Sequence, residues 1–119
     1  MQAVYRQRGD AIDYTPAANV AAGNVVILQD SEGNRFAAIA KTDIKAGELG
    51  ALAVEGVFRF PSFSGNVQLW SPVSWDCEVQ EVVLGDIIDI NITPLGIAIG
   101  ISDSGVDVKL MRGYVFPSV

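Results

Sequence analysis

Leu52-Ala53-Val54-Glu55-Gly56-Val57-Phe58-Arg59-Phe60-Pro61 is the stretch whose reading decides the fold. Leu52, Val54, Gly56, Phe58 and Phe60 fall on even positions, while Glu55 and Arg59 fall among the odd ones. That is a period of two, the signature of a β-strand with one buried face and one partly solvated face. Gly56, without a side chain, marks a bulge or the close approach of another backbone, and Pro61 cannot donate to a ladder and closes the strand. Phe58 and Phe60 are expected in the core, where burial contributes about 1.5–3 kcal/mol each.

Outward from this stretch the chain reads as short strands and turns. Val25 to Leu28 is a continuous β-branched and aliphatic run, expected to be buried on both faces. Asp30, Ser31, Glu32, Gly33 and Asn34 supply turn chemistry, and Arg35 to Lys41 resumes the extended pattern, which predicts a hairpin. Ala11 to Tyr14 is a short alternation, and Ala17 to Gly23 a loop or a single helical turn. Thr42 to Gly50 is a polar connection anchored by Ile44 and Leu49.

Beyond Pro61, Ser62 to Asn66 reads as a loop carrying Phe63. Trp70 and Trp75 bracket Pro72, with Val73 and Trp75 on one face. Val79, Val82 and Val83 continue as a strand, and Ile87 to Ile92 forms the next. Leu95, Ile97, Ile99 and Ile101 alternate with Gly96, Ala98 and Gly100, giving one bulky face and one bare face against which a backbone can pack closely. Asp103, Ser104 and Gly105 turn the chain into Val106, Val108 and Leu110. No helix of more than a couple of turns is expected. The fold class is all-β: a small β-barrel or sandwich of short antiparallel strands in one domain over 1–119, with an extended N-terminal arm over 1–9 and a docking tail over 112–119.

Composition narrows the function. The chain has 119 residues and a formal charge of −6. No lysine or arginine occurs between Phe60 and Val108, where Asp76, Glu78, Glu81, Asp86, Asp89, Asp103 and Asp107 are found. Such an acidic half repels phosphates and disfavours direct nucleic-acid binding. No apolar run approaches the ~18 residues of a membrane span, so no membrane partner is expected. The arm lacks an apolar signal region after Arg6 and Arg8, so synthesis in a cytoplasm is the expectation. The single cysteine, Cys77, has no intramolecular disulfide partner. It lies between Asp76 and Glu78, which disfavour its thiolate, so a structural role is expected.

Catalytic chemistry has little to build on. The chain has no histidine, which removes the commonest general base and the commonest neutral metal ligand. The carboxylate pairs Asp76 with Glu78 and Asp86 with Asp89 are expected to be solvated surface charge. No glycine pattern matches a phosphate-binding loop, and the serine before Gly105 lacks the flanks of a nucleophile elbow. Neither catalysis nor a cofactor or metal is expected, which leaves binding and assembly.

Lys45, Gly47 and Glu48, then Glu55, Gly56, Val57 and Phe58 leading to Pro61, then Pro72 to Asp76 with Trp75, then Leu95, Gly96, Ile97 and Ala98 followed by Val106, Val108 and Leu110 together resemble a family of small phage proteins regarded as capsid cement or decoration proteins. The resemblance runs from about Tyr5 to Leu110. Family members typically carry a glycine and an aspartate just before the segment matching Val73 to Trp75, where this chain has Ser71 and Pro72. Nothing in the family corresponds to the tail beyond Gly113.

The resemblance implies a virion protein on the outer capsid surface, commonly a homotrimer, that binds the major capsid protein and strengthens the shell. Within that picture, Tyr5, Arg6 and Arg8 of the basic arm are the expected contacts to the capsid protein. Phe60, Pro61, Phe63 and Trp70 are the expected interface between copies. Alternatives that share the composition are a phage tail, fibre or baseplate β module, and a free small-ligand or peptide-binding barrel using Trp70 and Trp75 as its platform.

Overall fold

The computed structural model describes residues 2–3, 10–33, 35–85 and 91–111. They form nine strands and no helix: β1 (Ala11–Tyr14), β2 (Val25–Gln29), β3 (Arg35–Ala40), β4 (Gly50–Ala53), β5 (Val57–Phe60), β6 (Pro72–Asp76), β7 (Glu81–Leu84), β8 (Ile92–Ser102) and β9 (Gly105–Leu110). The strands make two antiparallel sheets, a four-stranded sheet ordered β1-β4-β3-β2 and a five-stranded sheet ordered β5-β9-β8-β6-β7. The architecture is all-β and sandwich-like, not a closed barrel. The second sheet curls strongly, so that the chain leaving β5 meets β7 through a parallel bridge between Phe63 and Val82.

Leu52 to Pro61 is therefore not one strand. Leu52 and Val54 belong to one apolar cluster, with Ala38, Ala40 and Ile44, while Phe58 and Phe60 face a second one built around Val73, Val82, Val106 and Val108. A single straight strand cannot serve two cores on different sheets. The chain breaks at Gly56, whose φ of 116° lies where side chains are disfavoured, and crosses from the first sheet to the second. The Gly56 carbonyl accepts a hydrogen bond from the Leu110 amide at 2.9 Å, which fixes the corner to the end of β9. The even positions still point inward on both sides of the break, which is why the period of two survives across it. Of the two phenylalanines only Phe60 is fully buried, at 5% exposure; Phe58 is half-buried.

The hairpin of β2 and β3 runs in continuous register from Val25 opposite Ile39 to Gln29 opposite Arg35. Val25 and Ile27 pack on the cluster between the sheets and Val26 and Leu28 on the other, so β2 serves two faces, although each residue is only half-buried because β2 is an edge strand. In the polar connection Ile44 is the anchor, buried and bridged to Val20 by hydrogen bonds of 2.8 Å in both directions. Leu49 is not an anchor: it is 70% exposed.

The β8–β9 hairpin closes at Asp103 and Ser104, as its turn residues require, and β8 begins at Ile92. Its bulky residues do not share one core face. Register shifts fall opposite Val73/Ser74 and between Ala98 and Gly100, so Leu95 and Ala98 point into the core. Ile97 and Ile99 are left half-buried and Ile101 exposed. The close backbone approach expected on the glycine side is real at Gly96, which pairs with both Val73 and Leu110 and lies directly against the Lys109 carbonyl. Val79 is exposed in the Cys77–Gln80 turn and is not part of a strand. The strand expected over Ile87 to Ile92 lies mostly outside the described residues.

Ser74 is fully buried on β6, and its hydroxyl has no hydrogen-bond partner among the described residues. Leaving a buried hydroxyl unsatisfied is costly. Ser74→Ala is therefore expected to match or exceed the parent's stability, by about 0–1 kcal/mol, read as an equal or higher thermal midpoint.

Candidate assembly surface

Four residues were expected between copies, and they occupy different environments. Phe60 lies in the core, its ring 5.7 Å from that of Trp75 at a tilt of 46°. Phe63 is half-buried and packs on the same core, and the strand-like segment around it pairs with β7: the Ser64 amide donates to the Val82 carbonyl at 2.8 Å, and the Val82 amide to the Ser62 carbonyl at 3.0 Å. Pro61 is exposed. Trp70 is 68% exposed. Tyr5, Arg6 and Arg8, expected to contact the capsid protein, lie outside the described residues, as do Asp86, Asp89 and the tail over 112–119.

Trp70 is held in a specific way. Its turn is tied to β8 on both sides, the Trp70 amide donating to the Ala98 carbonyl at 2.7 Å and the Ala98 amide to the Ser71 carbonyl at 3.0 Å. Within the turn, the Ser71 hydroxyl donates to the Gln68 carbonyl at 2.5 Å and accepts from the Gln68 amide at 3.3 Å. The backbone at Trp70 has a φ of 69°, a left-handed conformation rare for a bulky residue. Such conformations cost on the order of 1–3 kcal/mol and persist where surrounding contacts over-determine them. The indole is thus presented to solvent on a rigid, strained turn beside the exposed Leu69.

Trp75, expected to form a platform with Trp70, lies instead at the far end of β6. There it lines a cleft of about 360 Å³ between the two sheets, together with Val25 and Ile27 of β2, Ile39 of β3, and Phe58 and Phe60 of β5. Pro61, Ser62, Cys77 and Gln80 are among the residues of its rim. Cys77 is exposed there, so its expected structural role has no burial to support it. Sequence reasoning missed this cleft. The only signal for it was that Val25, Ile27 and Phe58 belong to a β protein whose strands are too short to cover one another.

Charged groups hold turns and strand ends. Arg59 and Asp107 are opposite each other on β5 and β9, and the Arg59 guanidinium donates to both carboxylate oxygens, at 2.8 and 3.2 Å, and to the Ser104 hydroxyl at 3.2 Å. The hydrogen bond from Arg59 holds the Asp107 carboxyl below its ordinary value, with the positive charge adding to it against partial desolvation. The stabilisation from this pair is present above the ordinary carboxylate range and is lost as pH falls through the depressed value; solvent keeps it small. The Asp76 carboxylate accepts from the Glu78 amide at 2.9 Å and caps the Cys77–Gln80 turn, while Glu78 accepts from the Asn91 side chain at 3.1 Å. No group of three His, Cys, Asp or Glu side chains placed to hold a metal ion occurs among the described residues.

A second groove, of about 620 Å³, lies at the Gly56 corner between Ile12, Val54 and Glu55 on one side and Lys109, Leu110 and Met111 on the other.

No curated protein and no solved structure matches the chain. A family model described as phage cement protein matches residues 6–113. The match spans both sheets, the Trp70 turn, the cleft and the Gly56 corner, and by it the chain belongs to the phage cement protein family.

Proposed function

We propose that this protein binds the outer surface of a phage head and cements the capsid lattice, as a homotrimer contacting the major capsid protein. The observation that carries the reading is the family match over nearly the whole chain. The architecture is compatible with it: two small sheets and a rigid exposed tryptophan. A protein whose contacts exist only in the assembled lattice stabilises that lattice by binding it in preference to its separated subunits. Many weak attachments act together because each subunit already in place presents the next site at high effective concentration.

The basic arm, with Tyr5, Arg6 and Arg8, is proposed to meet the major capsid protein by adding an extended segment to a sheet edge. Replacing Arg6 and Arg8 together by alanine is expected to leave the thermal midpoint unchanged and to weaken attachment to heads in a salt-dependent manner. Co-sedimentation of purified protein with heads lacking it, at low and high salt, measures this. Wild-type protein that saturates the heads and raises their resistance to heat supports the function; wild-type protein that stays in the supernatant contradicts it. Equal binding by the double variant removes the arm from the mechanism.

A further inference from the structure

The Trp70 turn and the intersheet cleft are at opposite ends of β6. Seven positions separate Trp70 from Cys77 on the cleft rim, roughly 20 Å along extended chain. The knob therefore cannot fill the cleft of its own protomer, yet each is what the other lacks. Trp70 is an indole left 68% in water on a rigid turn, and the cleft is a cavity of about 360 Å³ walled by Val25, Ile27, Phe58 and Trp75.

Charge points to a second copy as the occupant. The protein carries a net charge of −6, so most approaches between copies are repulsive. The knob, however, lies within 61–75 and the β2 wall of the cleft within 14–29, and neither stretch contains a charged residue. Among the described residues the lining includes one charged residue, Arg59, and its side chain lies on the outer face of β5, opposite the inward-facing Phe58 and Phe60, where it pairs with Asp107. A second copy presenting Trp70 therefore brings an uncharged surface against the uncharged β2 wall.

We propose that Trp70 of one copy inserts into the cleft between β2 and β5 of the next, the contact by which the protein self-associates. The contact joins two different surfaces, so it is heterologous and propagates around a ring. This refines the self-association in the proposed function by naming its contact, and it stands or falls separately from capsid attachment. The strained φ at Trp70 fits the role, since a rigid anchor loses little freedom on docking.

The test uses full-length protein and two variants. Trp70→Gly removes the knob and relieves the positive φ, so its protomer is expected to melt no lower than wild type. Ser62→Trp fills the cleft from its exposed rim. By analytical ultracentrifugation, wild type is expected to assemble and each variant to dissociate, with self-affinity weakened at least about tenfold. Mixed together, the variants are expected to form a one-to-one heterodimer, because Ser62→Trp still carries the knob and Trp70→Gly still carries the cleft. In a Trp75→Phe background, Trp70 emission is expected to shift to the blue as concentration rises. A wild-type monomer, a Trp70→Gly variant that assembles like wild type, or a mixture that forms no heterodimer overturns the proposal. Trp70→Gly that loses head binding while wild type is monomeric also overturns it, assigning the indole to the capsid protein. Heads that fail to bind an assembled wild type would count against the cement function and leave this contact standing.

Discussion

Phe60→Ala is expected to destabilise the protein by about 3–5 kcal/mol, enough to leave much of it unfolded at growth temperature if its total stability lies at the low end of the usual range of about 5–15 kcal/mol. The ring is 5% exposed and lies in the cluster that joins the two sheets, against Trp75 on one side and the valines of β6, β7 and β9 on the other. Truncation removes the transfer free energy of the ring and leaves a void that short, hydrogen-bonded strands cannot collapse to fill. Phe58→Ala, two residues earlier on the same face, is expected to cost less, roughly 1–2 kcal/mol, because that ring is half-buried and already borders the intersheet cleft. Urea denaturation of the two variants side by side measures the difference; equal losses would show that the cleft is closed in solution.

Gly96→Val is expected to abolish folding. A Cβ at this position would run into the Lys109 carbonyl and lie 2.9 Å from the Met111 amide, backbone atoms of β9 and of the residue that follows it. A flexible side chain could rotate away, but a β-ladder cannot, since Gly96 pairs with Val73 on one side and Leu110 on the other in the middle of the five-stranded sheet. Relief requires separating β8 from β9, which also carries Val106 and Val108, both fully buried. The loss is expected to exceed about 4 kcal/mol, read as insoluble expression or absence of a cooperative thermal transition. A soluble Gly96→Val protein with a normal melt would mean that β8 and β9 are further apart than described.

The contrast between these positions shows how much of the fold was legible in the sequence. Turn chemistry located two of the hairpins: a turn opening at Asp30 leads from β2 to β3, and Asp103 with Ser104 joins β8 to β9. Alternation identified which residues of Leu52 to Phe60 face inward. It could not reveal that the inward residues face two different cores, because Gly56 turns the chain between sheets without interrupting the period. The same limit explains β8, where Leu95, Ile97, Ile99 and Ile101 have perfect alternation. Bulges reset the register, and Ala98 is in the core while Ile101 is not. A bulge is a property of two strands together, so one strand's sequence does not contain it.

The candidate assembly surface was legible in part. Apolar aromatics near Pro61 were recognised, but composition cannot separate a ring that completes its own core, as Phe60 and Phe63 do, from one left in water, as Trp70 is. That distinction depends on the curl of the second sheet, which brings the Phe63 segment onto β7 and leaves the Gln68–Ser71 turn on the outside of β8. The cleft was invisible for the same reason, since its walls come from β2, β3, β5 and β6.

Membership of a structural phage family, a charge-poor knob and a charge-poor cleft converge on assembly as the task of this fold. Cryo-electron microscopy of the purified mature virion tests that most directly. The account predicts density for the two-sheet fold on the outer surface of the head, repeated over the lattice and in contact with the major capsid protein. Density for the fold at the tail or baseplate, or a virion without the protein, would contradict it.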